Sequence, residues 1–216
     1  SRHPNKCYAK IAEHESIKVL IKRLKKSLKI NQIILCTTTH ENDDRLQEIA
    51  EEEKIQFIRG SDNVEKRISI AFEKYQTPDY FIRLTGDNIF VDSNHIDKAL
   101  EKVINEDNEY YKHDGVIDGC DFEIIKSDSY NSLKYYYKDF VKNSEYMSLY
   151  LNNNFFRKSN HLIYSDFQNY KKYRLTFDYE EDFFNLQMLH EHTKDIYVSY
   201  KKIYTALEEN NFYKSF

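Results

Sequence analysis

The 216-residue chain has no tryptophan, only four glycines and two prolines, and no long run of apolar residues. No stretch approaches the ~20 residues that a membrane-spanning helix needs. The scarcity of these residue types accompanies 19 tyrosines, and we interpret it as a genomic bias that says nothing about function. With 40% hydrophobic residues, the chain is predicted to fold rather than to be disordered. Its length suits a single α/β domain spanning residues 1–216.

Charge of one sign is also lacking, since 32 basic residues face 36 acidic ones for a formal net charge of −4. This balance gives no electrostatic reason to expect a nucleic-acid or membrane-surface protein. The three cysteines, Cys7, Cys36 and Cys120, are widely spaced and form no CxxC pair. That pattern favours free thiols in a reducing compartment. We therefore expect a cytoplasmic protein without nucleic-acid or membrane partners.

Several familiar catalytic signatures are missing as well. The sequence has no GxSxG, no Walker-type loop and no GxGxxG, so hydrolase triads and common nucleotide loops are not indicated. His190 and His192 are the closest pair among the eight histidines. On a helix these two side chains point apart, which argues against a zinc site.

The first 105 residues contain alternating helix and strand patterns. Apolar periodicity predicts helices over 15–29, 43–54, 64–75 and 94–105. Short apolar runs predict strands over 32–36, 55–58 and 80–85. This alternation is typical of a parallel doubly wound sheet.

The second half of the chain is less regular. Strands are predicted within 115–125 and over 161–164 and 173–178. Helices are predicted over 130–141, 145–151 and 180–192, with an extended segment and a short helix over 196–216. The predicted fold class is α/β, with a mixed, mostly parallel sheet flanked by helices.

Two of the predicted strands end at an acidic residue. The strand over 80–85 is followed by Gly86 and Asp87, and the strand over 173–178 ends at Asp178. Ligands of open α/β sheets bind at the carboxyl ends of strands. Magnesium in phosphate sites is commonly held by one or two carboxylates, with phosphates and water completing its shell. We therefore predict that Asp87 and Asp178 share a Mg²⁺ ion in an enzyme of phosphate transfer.

Two basic segments could contact phosphates, although each has a plainer explanation. Arg2 and Lys6, on either side of Pro4, could reach one polyphosphate; basic loops are usually just solvated. Ser61 opens a turn before a helix, and Arg67 lies one turn into it. Arg67 could contact a base or a phosphate, or the turn is an ordinary capped helix start.

Two acidic segments are similarly ambiguous. If they lie in one strand, Asp121 and Glu123 share a face. They could then bind hydroxyls or an amine of an acceptor, or be a solvated strand face. Glu181 and Asp182 fall in the first turn of a predicted helix, where acids interact favourably with the helix dipole. For these two we prefer capping to catalysis.

Taken in order, these segments resemble the cytidylyltransferase family that includes the spore-coat polysaccharide enzymes and the 3-deoxy-manno-octulosonate cytidylyltransferases. The matching segments are 2–6, 60–61 with Arg67, 83–87 with Asp92, 118–123 and 174–183. Asn5 replaces a glycine that the family prefers. The family's first strand and half of its nucleotide loop have no counterpart, so the resemblance predicts residues upstream of Ser1.

The resemblance implies a Rossmann-like nucleotide-diphospho-sugar transferase fold of GT-A type. It implies transfer of CMP from CTP to a sugar acid, polyol phosphate or phosphonate, with pyrophosphate release, in surface polysaccharide or glycoconjugate precursor synthesis. The implied nucleotide and pyrophosphate contacts are Arg2, Lys6, Ser61, Arg67, Thr85 and Gly86. The implied acceptor contacts are Asp121, Glu123, Glu145 and Arg174. It also implies a homodimer, with 130–170 as an acceptor or dimerisation subregion.

Two other functions stay open at this point. One is a nucleotidyltransferase that uses another base, or a nucleotide-sugar glycosyltransferase of similar fold, although the latter is disfavoured because no Asp-x-Asp ends a predicted strand. The other is a catalytically silent domain that binds a nucleotide or a partner protein.

Overall fold

The computed structural model describes residues 5–112, 117–137, 139–140, 150–151, 156–158 and 173–209. The strands are β1 (Lys10–Ile11), β2 (His14–Glu15), β3 (Ile34–Thr38), β4 (Gln56–Gly60), β5 (Tyr80–Arg83), β6 (Tyr110–Lys112) and β7 (Glu123–Lys126). The α-helices are α1 (Ser16–Leu24), α2 (Asp44–Glu52), α3 (Val64–Tyr75), α4 (Ser93–Asn105), α5 (Ser127–Tyr136), α6 (Glu180–Thr193) and α7 (Tyr200–Glu209). Short 3-10 helices cover Lys6–Tyr8 and Glu41–Asp43.

The strands form three hydrogen-bonded sets. β1 and β2 make a short antiparallel ribbon, and β3 pairs with β4 in parallel. β7 lies between β5 and β6 and is antiparallel to both. Within the described ranges, no ladder joins β3 to β5.

The α/β class is confirmed, and the strand directions follow from the connections. Strands joined through a helix run in the same direction, as expected for crossover connections: β3 and β4 through α2, and β5 and β6 through α4. β7 follows β6 without a described helix between them and enters the sheet in the opposite direction. Among the described residues, the β3–β4 pair is therefore parallel, whereas both pairings of β7 are antiparallel.

Most predicted elements are present with shifted ends, and α3 has the predicted bounds. The strand predicted over 173–178 is shorter than expected, since bridges cover only residues 173 and 174, and Arg174 is bridged in parallel to Asp118. The segment opposite it turns at once, because Cys120 N–H donates to Ile117 O at 3.0 Å. The strand predicted over 161–164 lies outside the described residues, as do residues 145–149 of the helix predicted over 145–151, whose last two residues are helical.

Buried side chains fix the positions of the site-bearing segments. Ile89, Phe90 and Val91, directly after the first acidic turn, are fully buried. The Arg23 guanidinium of α1 is buried too and donates to four backbone carbonyls, those of Phe90, Val91, Ile196 and Val198. Because it satisfies these carbonyls away from water, Arg23 links α1 to the chain after β5 and to the approach to α7.

Two further features concern membrane-spanning helices and thiols. In the described part of the chain, no helix is both long and apolar enough to cross a bilayer. The three cysteines are free thiols, as predicted.

Candidate active site

The ammonium group of Lys6 lies between the two acids that the sequence singled out. Lys6 Nζ donates to Asp87 Oδ2 at 2.7 Å and to Asp178 Oδ1 at 2.8 Å. The three side chains are between 21% and 24% exposed, so the cluster is partly open to solvent. The structure thus brings together three of the predicted site residues from segments far apart in sequence.

Backbone contacts explain why the two acids meet. β5 ends at Arg83, and a turn follows in which Asn88 N–H donates to Thr85 O at 3.1 Å. The residue before Asp178 is bonded directly to this turn, because Phe177 N–H donates to Asp87 O at 3.2 Å. The extended segment that carries Asp178 is therefore anchored on the turn that carries Asp87.

Arg174 holds the Asp178 carboxylate from the other side. Its Nη2 donates to Asp178 Oδ2 at 2.8 Å, its Nε to Asp182 Oδ1 at 2.8 Å and its Nη1 to Asp118 Oδ2 at 2.7 Å. Three carboxylates on one guanidinium fix its plane and hence the orientation of Asp178. In this geometry Arg174 orients the Asp178 carboxylate. The family resemblance had implied a contact between Arg174 and the acceptor.

Asp182 fixes the backbone of the same segment. Its Oδ2 accepts the N–H groups of Asp178 at 2.8 Å and of Tyr179 at 2.9 Å. This is the capping arrangement of a helix N-terminus, with Asp182 at the third position of α6. The capping role predicted for Asp182 is confirmed. Asp182 is also buried, so its charge is balanced within the protein by Arg174.

The charges of the cluster stabilise one another. Burial opposes the charge of Lys6, but the hydrogen bonds to Asp178 and Asp87 outweigh it and raise the pKa of Lys6. Burial likewise opposes ionisation of Asp178, yet the bond from Lys6 and the nearby Arg174 lower the pKa of Asp178. At neutral pH the site therefore holds the Lys6 ammonium beside the ionised carboxylate of Asp178.

The two acids predicted to share a strand face are separated. β7 begins only at Glu123, so Asp121 precedes the strand and the alternation argument does not apply. Asp121 Oδ1 accepts from Asn88 Nδ2 at 2.8 Å, which places it beside the Asp87 turn. Burial raises the pKa of Asp121.

Glu123 is instead part of the sheet. It is buried, and its two oxygens accept from Arg83 Nη1 at 2.7 Å and from the Tyr110 hydroxyl at 2.6 Å. These contacts join β5, β6 and β7, so Glu123 stabilises the sheet and is not exposed to solvent.

The predicted nucleotide contacts lie on two turns. Arg67 Nη1 donates to Ser61 O at 2.7 Å and closes the turn before α3, whose N-terminus is capped by Asn63. Gly86 lies against α1 and the first 3-10 helix, where an added Cβ would lie 3.4 Å from Ile17 Cδ1 and 3.6 Å from Cys7 Sγ. Two further predicted site residues, Arg2 and Glu145, lie outside the described residues.

Comparison with known proteins decides the family. The family model described as "Cytidylyltransferase" matches residues 1–215. The chain belongs to the cytidylyltransferase family. It is accordingly a nucleotidyltransferase, as the sequence resemblance predicted.

Two relatives cover almost the whole chain at moderate sequence identity. The uncharacterized protein MJ1063 of Methanocaldococcus jannaschii is 29% identical over 220 residues, which cover 97% of this chain and 86% of that protein. A solved cytidylyltransferase from Leptospira borgpetersenii serovar Hardjo-bovis is similar with a TM-score of 0.86 at 23% identity, covering 97% of this chain and 90% of that one. This similarity confirms the fold.

A more distant fold similarity is to a solved CMP:2-keto-3-deoxy-manno-octonic acid synthetase complexed with CTP. Its TM-score is 0.53 at 13% identity, covering 74% of this chain and 84% of that one. Both solved structures agree with the nucleotide-sugar transferase type of fold expected from the family.

The donor set of this cytidylyltransferase family member suits a hard divalent cation. Asp87 Oδ2 and Asp178 Oδ1 already converge on one cationic atom, Lys6 Nζ. The described residues contain no group of three or more histidine, cysteine, aspartate or glutamate side chains arranged for a metal. Two carboxylates are nevertheless the protein share that magnesium usually takes when a substrate phosphate supplies further ligands. The residues therefore fit a magnesium ion bound together with a nucleotide.

Sequence reasoning missed two residues of the site. Asn88 connects the Asp87 turn to Asp121, and Asp118 is the third carboxylate on Arg174. Asn88 directly follows the Gly-Asp pair, which was a usable signal. Asp118 opens the matching segment 118–123, but its contact with Arg174 was not predicted, because that contact depends on the bridge between two distant segments.

Proposed function

We propose that the protein transfers CMP from CTP to an acidic acceptor and releases pyrophosphate, with one Mg²⁺ shared by Asp87 and Asp178. The observation that carries this proposal is the convergence of one oxygen from each acid on a single cationic atom. Membership of the cytidylyltransferase family supports the choice of CTP. The similar synthetase structure that contains CTP supports it further.

The reaction is a substitution at the α-phosphorus of CTP. An acceptor oxygen forms the new bond to that phosphorus, and the bond to the oxygen bridging to the β-phosphorus breaks, so that pyrophosphate leaves with the electron pair. A bound Mg²⁺ would supply neutralisation of phosphate charge and alignment of the reacting groups. Direct transfer of this kind needs no nucleophile from the protein.

The residues of the site have separate tasks in this reaction. Asp87 and Asp178 provide the oxygen ligands, and Arg174 keeps Asp178 oriented. The Lys6 ammonium stabilises negative charge on the departing pyrophosphate, together with Arg2 as the resemblance implies. An acceptor that is already ionised at neutral pH needs little base catalysis. That argument favours a sugar acid, polyol phosphate or phosphonate over a neutral alcohol.

Two wider features of the proposal come from the family resemblance. The product would serve as a precursor of surface polysaccharide or glycoconjugate, made in the cytoplasm. The active form would be a homodimer that uses the 130–170 region, in which Tyr135 and Tyr136 are 81% and 73% exposed. Light scattering that shows a monomer at micromolar concentration would contradict the dimer.

Pyrophosphate release is the experiment that tests the proposed function. The purified protein is incubated with Mg²⁺, each of the four nucleoside triphosphates and a panel of acidic acceptors, with Asp87→Asn as the inactive control. Release that requires CTP and one acceptor supports the proposal and identifies the acceptor. Release with a different triphosphate would assign another base, and no release together with no CTP binding in calorimetry would favour a silent domain.

A further inference from the structure

Lys6 occupies the position that a shared cation would need. Its Nζ is bonded to Asp87 Oδ2 and Asp178 Oδ1, while the second oxygen of Asp178 already accepts from Arg174. A divalent ion held by the two oxygens that now converge would take the place of Lys6 Nζ. An ammonium and a divalent ion cannot occupy this position together, since two cations at one point repel each other.

The backbone of Lys6 is anchored, so its side chain can leave without moving the loop. The Lys6 carbonyl accepts from the Ser16 hydroxyl at 2.7 Å and from Ala9 N–H at 3.3 Å. Beyond that anchor a lysine has a flexible four-carbon chain that ends in a compact charge. The ammonium can therefore move from the carboxylates to a nearby anion by rotation of side-chain bonds alone.

The Lys6 ammonium also offsets the repulsion between the two carboxylates when no metal is bound. Two carboxylates directed at one point repel each other, and one of them tends to take up a proton. The positive charge of Lys6, which pairs with both acids, offsets this repulsion and holds the two carboxylates together. Lys6 thus preserves the arrangement that a divalent ion needs, while opposing the binding of that ion.

We propose that Lys6 and the divalent cation compete for Asp87 and Asp178, and that arrival of the metal–nucleotide complex transfers the ammonium from the acids to the phosphates. This inference rests on the proposed function, because it assumes that the acid pair binds a divalent cation. Its consequence is an order of events: the free protein binds the cation weakly, and the triphosphate strengthens that binding by drawing Lys6 away. By linkage, the cation strengthens nucleotide binding by the same factor.

Mn²⁺ binding without nucleotide tests the competition. Free Mn²⁺ is measured by electron paramagnetic resonance in the wild type, in Lys6→Met and in the matched control Lys10→Met, which removes an exposed positive charge four residues away. We expect Lys6→Met to bind Mn²⁺ about tenfold more tightly than the wild type, a coupling of ordinary size, and Lys10→Met to behave like the wild type. Equal affinity in all three proteins would overturn the competition and leave the proposed function intact.

Two further measurements separate failure of the competition from failure of the proposed shared cation. The Lys6→Met, Asp87→Asn double variant should lose the tightened binding, which assigns the ion to the acid pair. Absence of Mn²⁺ binding by the wild type and Lys6→Met, both with and without CTP, would remove the shared cation of the proposed function and the competition with it.

A measurement on the wild type covers the case in which Lys6→Met does not fold. The acetylation rate of the Lys6 amine, followed by mass spectrometry with Lys10 as an internal reference, should rise when saturating Mn²⁺ is added without nucleotide. An unchanged Lys6 rate at saturation would overturn the competition.

Discussion

The two acids that meet at Lys6 are held in different ways. Asp178 is surrounded by charged side chains, with Arg174 on its second oxygen and Asp182 on its backbone N–H. The carboxylate of Asp87 has Lys6 as its one hydrogen-bonding partner among the described residues. Its position comes from the backbone, because its carbonyl accepts from Phe177 and three fully buried residues follow its turn.

The difference shows which parts of the site are preorganised. Asp178 has a fixed orientation in the free protein, since hydrogen-bonded supporting groups determine how a metal ligand points. Asp87 has a fixed location, but its carboxylate is oriented by a lysine that the proposed cation would displace. Replacing the residues that hold Asp178 should therefore lower catalysis. At Asp87, where no side chain other than Lys6 holds the carboxylate among the described residues, the main effect should come from replacing the acid itself.

The largest loss of activity is expected when either acid is replaced, because both are proposed as ligands of the same cation. Asp87→Asn and Asp178→Asn should each lower kcat by about 10³-fold or more, because each removes one charged ligand of a cation that neutralises phosphate charge. The measurement is steady-state pyrophosphate release, with circular dichroism to show that the fold is intact. Retained activity in either variant would refute the shared cation.

The next effect tests the support of Asp178. Arg174→Met should lower kcat and weaken Mg²⁺ activation by about 10–100-fold, the usual cost of losing a group that orients a metal ligand. Arg174→Lys should restore only part of this, because an ammonium lacks the planar fork that now bonds three carboxylates. The measurement is kcat, acceptor KM and the Mg²⁺ dependence of both variants. A raised acceptor KM with normal kcat and Mg²⁺ dependence would instead make Arg174 an acceptor ligand.

A matched pair of glycines compares the backbones of the two segments. Gly119 has φ +95°, and a Cβ there would lie 2.0 Å from Thr176 N, in the segment that leads to Asp178. Gly119→Ala should destabilise the fold by more than about 3 kcal/mol, through both strain and overlap. Gly86→Ala, beside Asp87, should cost less than about 1 kcal/mol because its Cβ makes ordinary contacts.

Urea unfolding of both glycine variants provides the measurement. Similar loss of stability in the two would mean that the backbone around Asp87 is as tightly constrained as that around Asp178. A stable Gly86→Ala protein with impaired CTP binding would further show that the nucleotide approaches this turn closely.

The smallest effect is expected at the edge of the cluster. The Asp118 side chain is 52% exposed, although it accepts from Arg174 at 2.7 Å. Exposed ion pairs contribute little, so Asp118→Asn should change stability by less than about 1 kcal/mol. Its kcat should stay within about threefold of the wild type, because Asp182 still holds Arg174. A loss as large as that of Arg174→Met would show that all three acids are needed to orient the guanidinium.

The sequence sufficed for features that depend on local pattern. Apolar periodicity predicted α3 with its observed bounds, and acids at a helix start predicted the cap by Asp182. The approach of Asp87 to Asp178 was also predictable, since strand ends of an α/β sheet share one edge.

Contacts that depend on the order of the strands in the sheet could not be predicted from the sequence. Arg83 and Glu123 are directly opposite each other in β5 and β7, and this pairing buries Glu123 in the sheet. Their ion pair becomes visible only once β7 is known to lie between β5 and β6 and to run against them. The same holds for Asp118, whose contact with Arg174 depends on a bridge across more than fifty residues of sequence.

The most direct test of the shared cation is the number of Mn²⁺ ions bound at the acid pair in the presence of CTP. It is measured by electron paramagnetic resonance for the wild type, Asp87→Asn, Asp178→Asn and the double variant, with CTP in the absence of protein as reference. One ion bridging both acids predicts that each single variant loses as much binding as the double variant. Separate ions on the two acids would contradict the account, and they would appear as partial losses in the single variants that add up in the double.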